Sequence, residues 1–259
     1  MESVAPASGG LSIIIPAWNE EDRLVRTLDR YLPSLESRKE PFEVIVVADG
    51  DDHTSEVAQQ YADRNVKLLR FPNKLGKGGA ILEGMREARY DVVGYVDADG
   101  PISPEEMHSL VGLLGEVDCV IASRWIRGAS GVQSEPLFNR FAGRVWNLLT
   151  RSLLFLPIRD TQCGAKFFKR TLATSLLRTV HITNRAFDVA VLFHVKKSGH
   201  RMLEVPVRWK HDPSTRMPIT MAIPVMFLSI VGLRVMNSPL GRRVPPRLVR
   251  WLAAEFGGI

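Results

Sequence analysis

Short apolar runs rich in valine and isoleucine recur in the first half of the chain and alternate with longer stretches of helical length. The strand-like runs span residues 11–15, 42–47, 66–69, 92–96 and 117–122. The helix-length stretches span residues 20–35, 54–62, 77–88 and 104–114. Apolar strands that alternate with helices are typical of a mainly parallel sheet covered on both faces. The pattern therefore predicts an α/β fold in which a ligand binds beyond the carboxyl ends of the strands.

Acidic residues stand at two of these strand ends. Asp97 and Asp99 follow the fourth strand, in the stretch GYVDADGPISP, and Asp49 follows the second. Paired like charges at a buried edge are costly unless a cation or several donors compensate them. Capping of the helix that begins at Pro104 would explain only Asp99. The position therefore favours metal or substrate binding by these acids.

The segment 138–153 has helical spacing with two distinct sides. Its polar stripe consists of Arg140, Arg144, Asn147 and Arg151. Its apolar side consists of Phe138, Phe141, Val145, Leu148, Leu149 and Leu153. Two interpretations remain open: a surface helix packed on the sheet, or a helix in a lipid interface whose arginines reach headgroups or a lipid phosphate.

The C-terminal part favours a membrane surface. Residues 217–233 carry no charge but include Pro224, and a bilayer span needs about 17 to 25 apolar residues, so interfacial or re-entrant insertion is the better prediction. Arginines then stand beside Trp251 and Phe256, a mixture typical of headgroup contact. The expected division is a catalytic domain over 1–216, including an interface helix at about 137–157, and a membrane-associated part over 217–259.

The composition limits the classes of partner and of site that this chain can have. The net charge of +6 suits an anionic partner: nucleic acid, an acidic membrane surface or a phosphorylated small molecule. Nucleic acid is disfavoured because strand-end acids would repel its phosphates and no nucleic-acid motif is present. Cys119 and Cys163 lack the spacing of a zinc site or disulfide framework. The N-terminus lacks the features of a signal peptide, so the catalytic part is expected in the cytoplasm.

Further polar stretches carry candidate chemistry. IIIPAWNEE at 13–21 and VVADGDDHT at 46–54 each end a strand with polar residues that could bind a ligand. The alternative is a helix cap for the first stretch and a solvated turn for the second. NKLGKGGA at 73–80 is similar to a phosphate cradle at a helix N-terminus, but it does not match the P-loop spacing. A later basic and polar set comprises ASRWIR at 122–127, DTQCGAKFFKR at 160–170, NRAFDV at 184–189 and VPVRWKHDPSTR at 205–216.

Taken in order, these motifs resemble the inverting family 2 glycosyltransferases with a GT-A fold. The resemblance covers roughly residues 11–236 and extends to the enzymes that glucosylate or mannosylate dolichyl phosphate. It implies a metal-dependent hexosyltransferase, using UDP-glucose or GDP-mannose and a dolichyl or polyprenyl phosphate acceptor, in lipid-linked glycan synthesis and N-glycosylation. It also implies a membrane-associated enzyme whose catalytic domain lies on the cytoplasmic side.

The resemblance assigns roles position by position. It implies that the nucleotide sugar is bound by Pro16, Asn19, Glu20, Asp49, Lys77 and Asp97. Asp97 and Asp99 correspond to the family's D-x-D pair, which holds Mn²⁺ or Mg²⁺, and His211 could complete the metal shell. The acceptor phosphate would be bound by Arg124, Lys210, Ser214 and Arg216, and the lipid would be contacted by Phe138, Phe141, Val145 and Leu148.

Asp188 counts with Asp97, Asp99 and Arg124 among the implied catalytic residues. A lipid phosphate is already anionic at neutral pH, so Asp188 is expected to orient the acceptor or to be structural. If the acceptor were a sugar hydroxyl, Asp188 would become the candidate base. For Arg124 a structural ion pair is the alternative role.

Departures from the family pattern leave the donor open. The turn after the second strand is one residue shorter, with Ala48 and Asp51 at altered positions, and Pro101 stands where mannosyl relatives can carry a glutamine. The motif D-A-D-G favours glucose over mannose as the transferred sugar. Two alternatives remain: a soluble GT-A transferase acting on a small phosphorylated or sugar acceptor, and a membrane scaffold without activity.

Overall fold

The computed structural model describes residues 9–131, 137–210 and 219–239. Its strands are β1 (Leu11–Ala17), β2 (Phe42–Ala48), β3 (Val66–Arg70), β4 (Val92–Val96), β5 (Cys119–Ser123), β6 (Ala165–Lys169) and β7 (Met202–Pro206). Its α-helices are α1 (Glu21–Glu36), α2 (Thr54–Gln59), α3 (Gly76–Glu87), α4 (Pro104–Gly112), α5 (Leu137–Leu154), α6 (Arg170–Thr179), α7 (Phe187–Lys197) and α8 (Ile219–Met236).

The seven strands form one sheet in the order β3-β2-β1-β4-β6-β5-β7. Strand β6 runs antiparallel to its neighbours β4 and β5, and the other pairings are parallel. The prediction of a mainly parallel α/β sheet is thus confirmed. The pattern did not predict β6 and β7, because the second and last residues of AKFFK are lysines and a glutamate lies within MLEVP, and these charges interrupt the apolar runs.

Both faces of the sheet are buried, as its continuous apolar strands require. Ile13 and Ile15 pack on one face with α1 and α4, whereas Ile14 between them packs on the other face with α3, α6 and α7. The carboxyl ends of β1, β2 and β4 therefore lie at one edge of the sheet, and the strand-end acids lie at that edge.

Helix α8 packs on α5 and α7. Met226 and Ile230 are buried in the core, whereas Phe227 and Leu228 on the same helix are exposed. Across the described ranges, no helix has both the length and the hydrophobicity that crossing a bilayer requires. Membrane insertion of 217–259, and the domain division at residue 216, stay predictions.

Helix α5 is oriented with its apolar side outward. Phe141, Val145 and Leu148 are 68%, 47% and 64% exposed. Asn147 and Thr150, by contrast, are buried against the domain. Helix α5 therefore packs on the domain through Trp146, Asn147 and Thr150 and leaves its apolar strip exposed. Contact of this strip with lipid stays a prediction.

Candidate functional site

Asp97 lies where β4 ends. Its backbone N–H donates to the carbonyl of Gly164 at 3.0 Å, just before β6 begins. A Cβ at position 164 would lie 1.8 Å from Oδ2 of Asp97, so only glycine leaves room for this carboxylate. The glycine of the motif D-T-Q-C-G-A-K-F-F is thus explained by its close approach to an acid.

A chain of alternating charges extends from Asp97 into the core. Nζ of Lys77 lies 2.9 Å from Oδ1 of Asp97 and 2.9 Å from Oδ2 of Asp188. The other oxygen of Asp188 receives Nζ of Lys166 at 2.5 Å and the Tyr95 hydroxyl at 2.6 Å. Lys166 also donates to the carbonyl of Cys163 at 2.7 Å. Two carboxylates and two ammonium groups therefore compensate one another in a largely buried row.

This row fixes the charge state of Asp188. Burial alone would raise the pKa of the Asp188 carboxyl, but Lys166 and Lys77 outweigh burial and hold that pKa well below its usual value. The same carboxylates raise the pKa of Lys77 against the effect of its burial. A carboxylate held this firmly by donors is a poor proton acceptor, so the geometry supports a positioning role for Asp188 rather than general-base catalysis.

Glu20 is a further carboxylate near Asp97 and Asp99. Burial, with the nearby charges of Asp99 and Asp97, raises the pKa of Glu20 to about 7, although Arg23 acts in the opposite direction. Nη2 of Arg23 donates to Oε1 of Glu20 at 2.7 Å. Glu20, Asp97 and Asp99 therefore repel one another at the same edge, and a cation there would relieve that repulsion.

Asn19 joins the loops that follow β1 and β2. Its backbone adopts φ 58°, and its Oδ1 accepts the N–H of Asp51 at 2.9 Å. A Cβ on Gly50 would lie 2.1 Å from this oxygen, which explains the glycine at that turn. Pro16 lies within β1, next to Ala17 at the strand's end. These residues shape the edge at which the resemblance puts the nucleoside.

The segment NKLGKGGA does not form a phosphate cradle of the predicted kind. The N–H of Leu75 donates to Oδ2 of Asp49 at 2.7 Å, and the N–H groups of Gly78 and Gly79 donate to the carbonyl of Thr183 at 2.7 and 3.3 Å. The interpretation of these amides as phosphate donors is therefore wrong, because protein acceptors already hold them.

The glycines of α3 instead serve packing. A Cβ on Gly78 would lie 2.7 Å from the Phe187 side chain, and one on Gly84 would lie 2.4 Å from Ile14. Burial raises the pKa of Asp49 while the N–H groups of Leu75 and Gly76 oppose that shift. Asp49 thus anchors the start of α3, and its predicted contact with the nucleoside stays a prediction.

Arg124 follows β5 and grips a buried acid. Its Nε and Nη2 lie 2.8 and 3.0 Å from the two carboxylate oxygens of Asp160, which is completely buried. Its guanidinium also lies over the rings of Trp209 and Trp125, with centroids 4.8 and 5.8 Å away. The structural ion pair suggested as an alternative is present, and binding of the acceptor phosphate by Arg124 stays a prediction.

The remaining predicted residues lie at or beyond the limits of the described chain. The N–H of Lys210 donates to the carbonyl of Pro101 at 2.9 Å, which puts this exposed lysine beside the loop after Asp99. His211, Ser214 and Arg216 lie outside the described residues, as does the side chain of Phe138.

Sequence reasoning missed several residues that support the site. Lys166 and Tyr95 hold Asp188, and Glu204 accepts the N–H of Asp160 at 2.7 Å. Trp18 is exposed beside Asn19, with Nζ of Lys74 3.5 Å from its ring centroid. A lysine in the strand AKFFK was the available signal for Lys166, because a buried lysine requires a partner.

The donor set fits a divalent cation. Within the described ranges, no group of three His, Cys, Asp or Glu side chains is placed to hold a metal. Mg²⁺-type ions, however, are commonly held by one or two carboxylates together with substrate phosphates. Asp97 and Asp99 supply such carboxylates, and Asp97 already pairs with the ammonium of Lys77, so this carboxylate is suited to a cation.

Curated relatives share most of this chain. It is 30% identical over 268 residues to glycosyltransferase AglD of Haloferax volcanii, covering 98% of this chain but only 41% of that protein. It is 32% identical over 234 residues to dolichyl-phosphate beta-glucosyltransferase ALG5A of Trichomonas vaginalis, covering 83% of this chain and 70% of that protein. The chain thus spans less than half of the first relative and over two thirds of the second.

A solved structure shares the fold. The glucosyl-3-phosphoglycerate synthase of Mycobacterium tuberculosis, in complex with Mn²⁺, uridine diphosphate and glucosyl-3-phosphoglycerate, superposes with a TM-score of 0.63 at 16% identity. The match covers 88% of this chain and 79% of that one.

The family model for glycosyl transferase family 2 matches residues 12–177, from the first strand into α6. This range includes Asp49, Asp97, Asp99 and Arg124. The match covers more than half of the chain, and the chain therefore belongs to glycosyl transferase family 2.

Proposed function

We propose that this protein transfers a hexose, with glucose as the first candidate, from a nucleotide sugar to a polyprenyl phosphate such as dolichyl phosphate, with inversion at the anomeric carbon. Relatives named dolichyl-phosphate beta-glucosyltransferases support the acceptor and the sugar. The Mn²⁺ and uridine diphosphate in the solved structure of similar fold support a uridine nucleotide and a divalent cation.

The outward apolar side of α5 is the observation that carries the lipid acceptor. Phe141, Val145 and Leu148 form an exposed apolar strip, which is what an interfacial helix presents to acyl chains. From the same helix, Arg144 lies over the Trp125 ring, 5.3 Å from its centroid. Trp125 follows Arg124 directly, so α5 connects a lipid-compatible surface to the guanidinium proposed to meet the phosphate.

At the donor end, Asp97 and Asp99 would hold the divalent cation. When bound, this ion would neutralise charge on the departing nucleoside diphosphate. Lys77 lies beside Asp97 and supplies a second positive charge towards the same region. Glu20, Asn19 and Asp49 shape the edge where the nucleoside would bind, and Trp18 offers an exposed ring beside it.

A phosphate monoester acceptor explains why a free base is dispensable. Its second pKa is about 6, so its oxygen is largely ionised at neutral pH and can attack the anomeric carbon directly. Asp188, held by two ammonium groups and a phenol, fits a positioning role. The proposal also includes association with a membrane through α5 and the segment 217–259, with the catalytic domain on the cytoplasmic side.

A phase-partition assay tests the proposal. Purified protein is given Mn²⁺ or Mg²⁺ with radiolabelled UDP-glucose or GDP-mannose, and dolichyl phosphate or 3-phosphoglycerate as acceptor. Label should enter the organic phase with UDP-glucose and dolichyl phosphate, and EDTA should abolish it. Asp97→Asn should lose most of this activity, whereas the exposed Asp63→Asn control should retain it. Label on 3-phosphoglycerate alone would contradict the lipid acceptor.

A further inference from the structure

We propose that Lys77 is an internal competitor of the divalent cation at Asp97, and that this competition makes metal binding depend on the nucleotide. This inference rests on the proposed function, because it concerns the metal and nucleotide of that site. It adds a role for Lys77 as the residue that couples the two ligands.

The competition follows from shared oxygen atoms. Nζ of Lys77 lies 2.9 Å from Oδ1 of Asp97, at ordinary ion-pair distance. A divalent cation on the same carboxylate would lie next to the ammonium, and the two like charges would repel each other. Lys77 must therefore withdraw from Asp97, or share it unfavourably, when a cation binds there.

Asp188 gives the ammonium of Lys77 a second anionic partner. Its Oδ2 also lies 2.9 Å from Nζ of Lys77, so the ammonium keeps one anionic partner after it leaves Asp97. The Lys77 side chain is 22% exposed, and that of Asp97 is 32% exposed, so this end of the charge row faces solvent. The ammonium of Lys77 can accordingly move between the two carboxylates without being left in apolar surroundings.

Lys166 cannot make the same exchange. It is completely buried, and its ammonium is held by Asp188 at 2.5 Å and by the carbonyl of Cys163 at 2.7 Å. The row therefore contains one fixed cation and one displaceable cation, and only the displaceable one reaches Asp97.

The nucleotide gives Lys77 new anionic partners in place of Asp97. A diphosphate that approaches Asp97 brings negative oxygens towards the ammonium, so Lys77 can turn to the phosphates while the metal takes the carboxylate. Each ligand then favours binding of the other, and this coupling must be equal in both directions. A cation bound without nucleotide has to displace Lys77 with no such compensation.

Direct binding of Mn²⁺ to the purified protein, followed by the electron paramagnetic resonance signal of free Mn²⁺, tests this role without reference to turnover. Without nucleotide, Lys77→Met should bind Mn²⁺ at least about fivefold more tightly than the wild type, which corresponds to the loss of one competing ion pair. Lys77→Gln should behave in the same way, and Lys77→Arg, which keeps the charge, should remain within about twofold of the wild type.

Lys67→Met is the matched control, because it removes the same charge from β3, where Lys67 forms an exposed pair with Glu87 of α3. Its Mn²⁺ affinity should not change by more than about twofold. Thermal melting should show all three Lys77 variants folded, since Asp188 keeps Lys166 and Tyr95 as partners.

A second arm adds UDP. UDP should tighten Mn²⁺ binding by the wild type, and this enhancement should shrink in Lys77→Met. Suppose that the wild type binds Mn²⁺ in the presence of UDP, but that in the absence of UDP Lys77→Met binds Mn²⁺ no more tightly than the wild type does. The competition is then refuted and the proposed function stands. If the wild type binds no Mn²⁺ even with UDP, both are refuted.

Discussion

The ammonium of Lys166 and the carboxylate of Asp188 form an ion pair of 2.5 Å in the interior, between the inner strand β6 and helix α7, which covers the sheet. Neither side chain carries appreciable solvent exposure. The pair holds the end of the charge row that faces away from the solvent. The stability of the fold and the position of Lys77 therefore depend on the same two residues.

Asp188→Asn should destabilise the protein strongly. It leaves Lys166 in the core without its anionic partner, and breaking a buried pair in this way costs about 3 to 5 kcal/mol. Urea unfolding at pH 7, followed by circular dichroism, measures the loss. The half-buried surface pair of Lys169 and Asp118 provides the control, since Lys169→Met should cost less than about 1 kcal/mol. Equal losses in the two variants would show that the buried pair has no special importance.

The pair of Arg124 and Asp160 predicts a selective kinetic effect. Asp160→Asn removes the charge that fixes the guanidinium fork, and a displacement of about 1 Å near a reacting group can reduce turnover roughly a hundredfold. Arg124→Lys should act similarly, because an ammonium cannot reproduce the two parallel hydrogen bonds. We expect kcat or the KM for dolichyl phosphate to change, with the KM for UDP-glucose nearly constant.

Initial rates with each substrate varied in turn distinguish the outcomes. A change confined to the KM for UDP-glucose would place Arg124 at the donor instead of the acceptor. Unchanged kinetics in folded Arg124→Lys would leave the guanidinium with a structural role alone.

Glu20 predicts a pH dependence of stability. Its pKa of about 7 in the folded protein exceeds the ordinary value of 4.5, so the folded state holds its proton more tightly than the unfolded chain does. Stability contributed by the protonated form is therefore present below about pH 4.5 and is lost as the pH rises towards 7. Glu20→Gln should remove this loss and be more stable than the wild type at pH 8, by up to about 3 kcal/mol.

Urea unfolding of wild type and Glu20→Gln between pH 4.5 and pH 8, with EDTA present, checks this sign. Glu36→Gln is a control of the opposite kind, because Arg64 lowers the pKa of Glu36 and the neutral variant should gain nothing at high pH. A wild type whose stability rises towards pH 8 relative to Glu20→Gln would contradict the interpretation.

The outward side of α5 predicts membrane binding that charge can abolish. Phe141→Glu and Leu148→Glu introduce carboxylates on exposed apolar positions, so they should reduce vesicle binding at least about tenfold without loss of folding stability. Co-sedimentation with sucrose-loaded vesicles of phosphatidylcholine and phosphatidylserine measures binding. Gln60→Glu adds the same charge at an exposed site away from α5 and should bind like the wild type. Unchanged binding of the α5 variants would exclude this helix as the lipid contact.

The sequence by itself determined the first five strands, the helices between them and the acids at the strand ends. These features are local, because a strand buried on both faces must be apolar throughout and the turn that follows it must be polar. The order of the motifs also indicated the family that the comparison of residues 12–177 confirms.

Only the tertiary structure decided which charges pair. Arg124 meets Asp160 across 36 positions of the chain, and Lys166 meets Asp188 across 22, so no local pattern could reveal either partner. The amides at the start of α3 likewise found acceptors in Asp49 and Thr183, and α5 left Phe141, Val145 and Leu148 exposed. The physical reason is common to all of them: hydrophobic periodicity reports whether a position is buried, whereas the partner that compensates a buried polar group is set by the packing of distant segments.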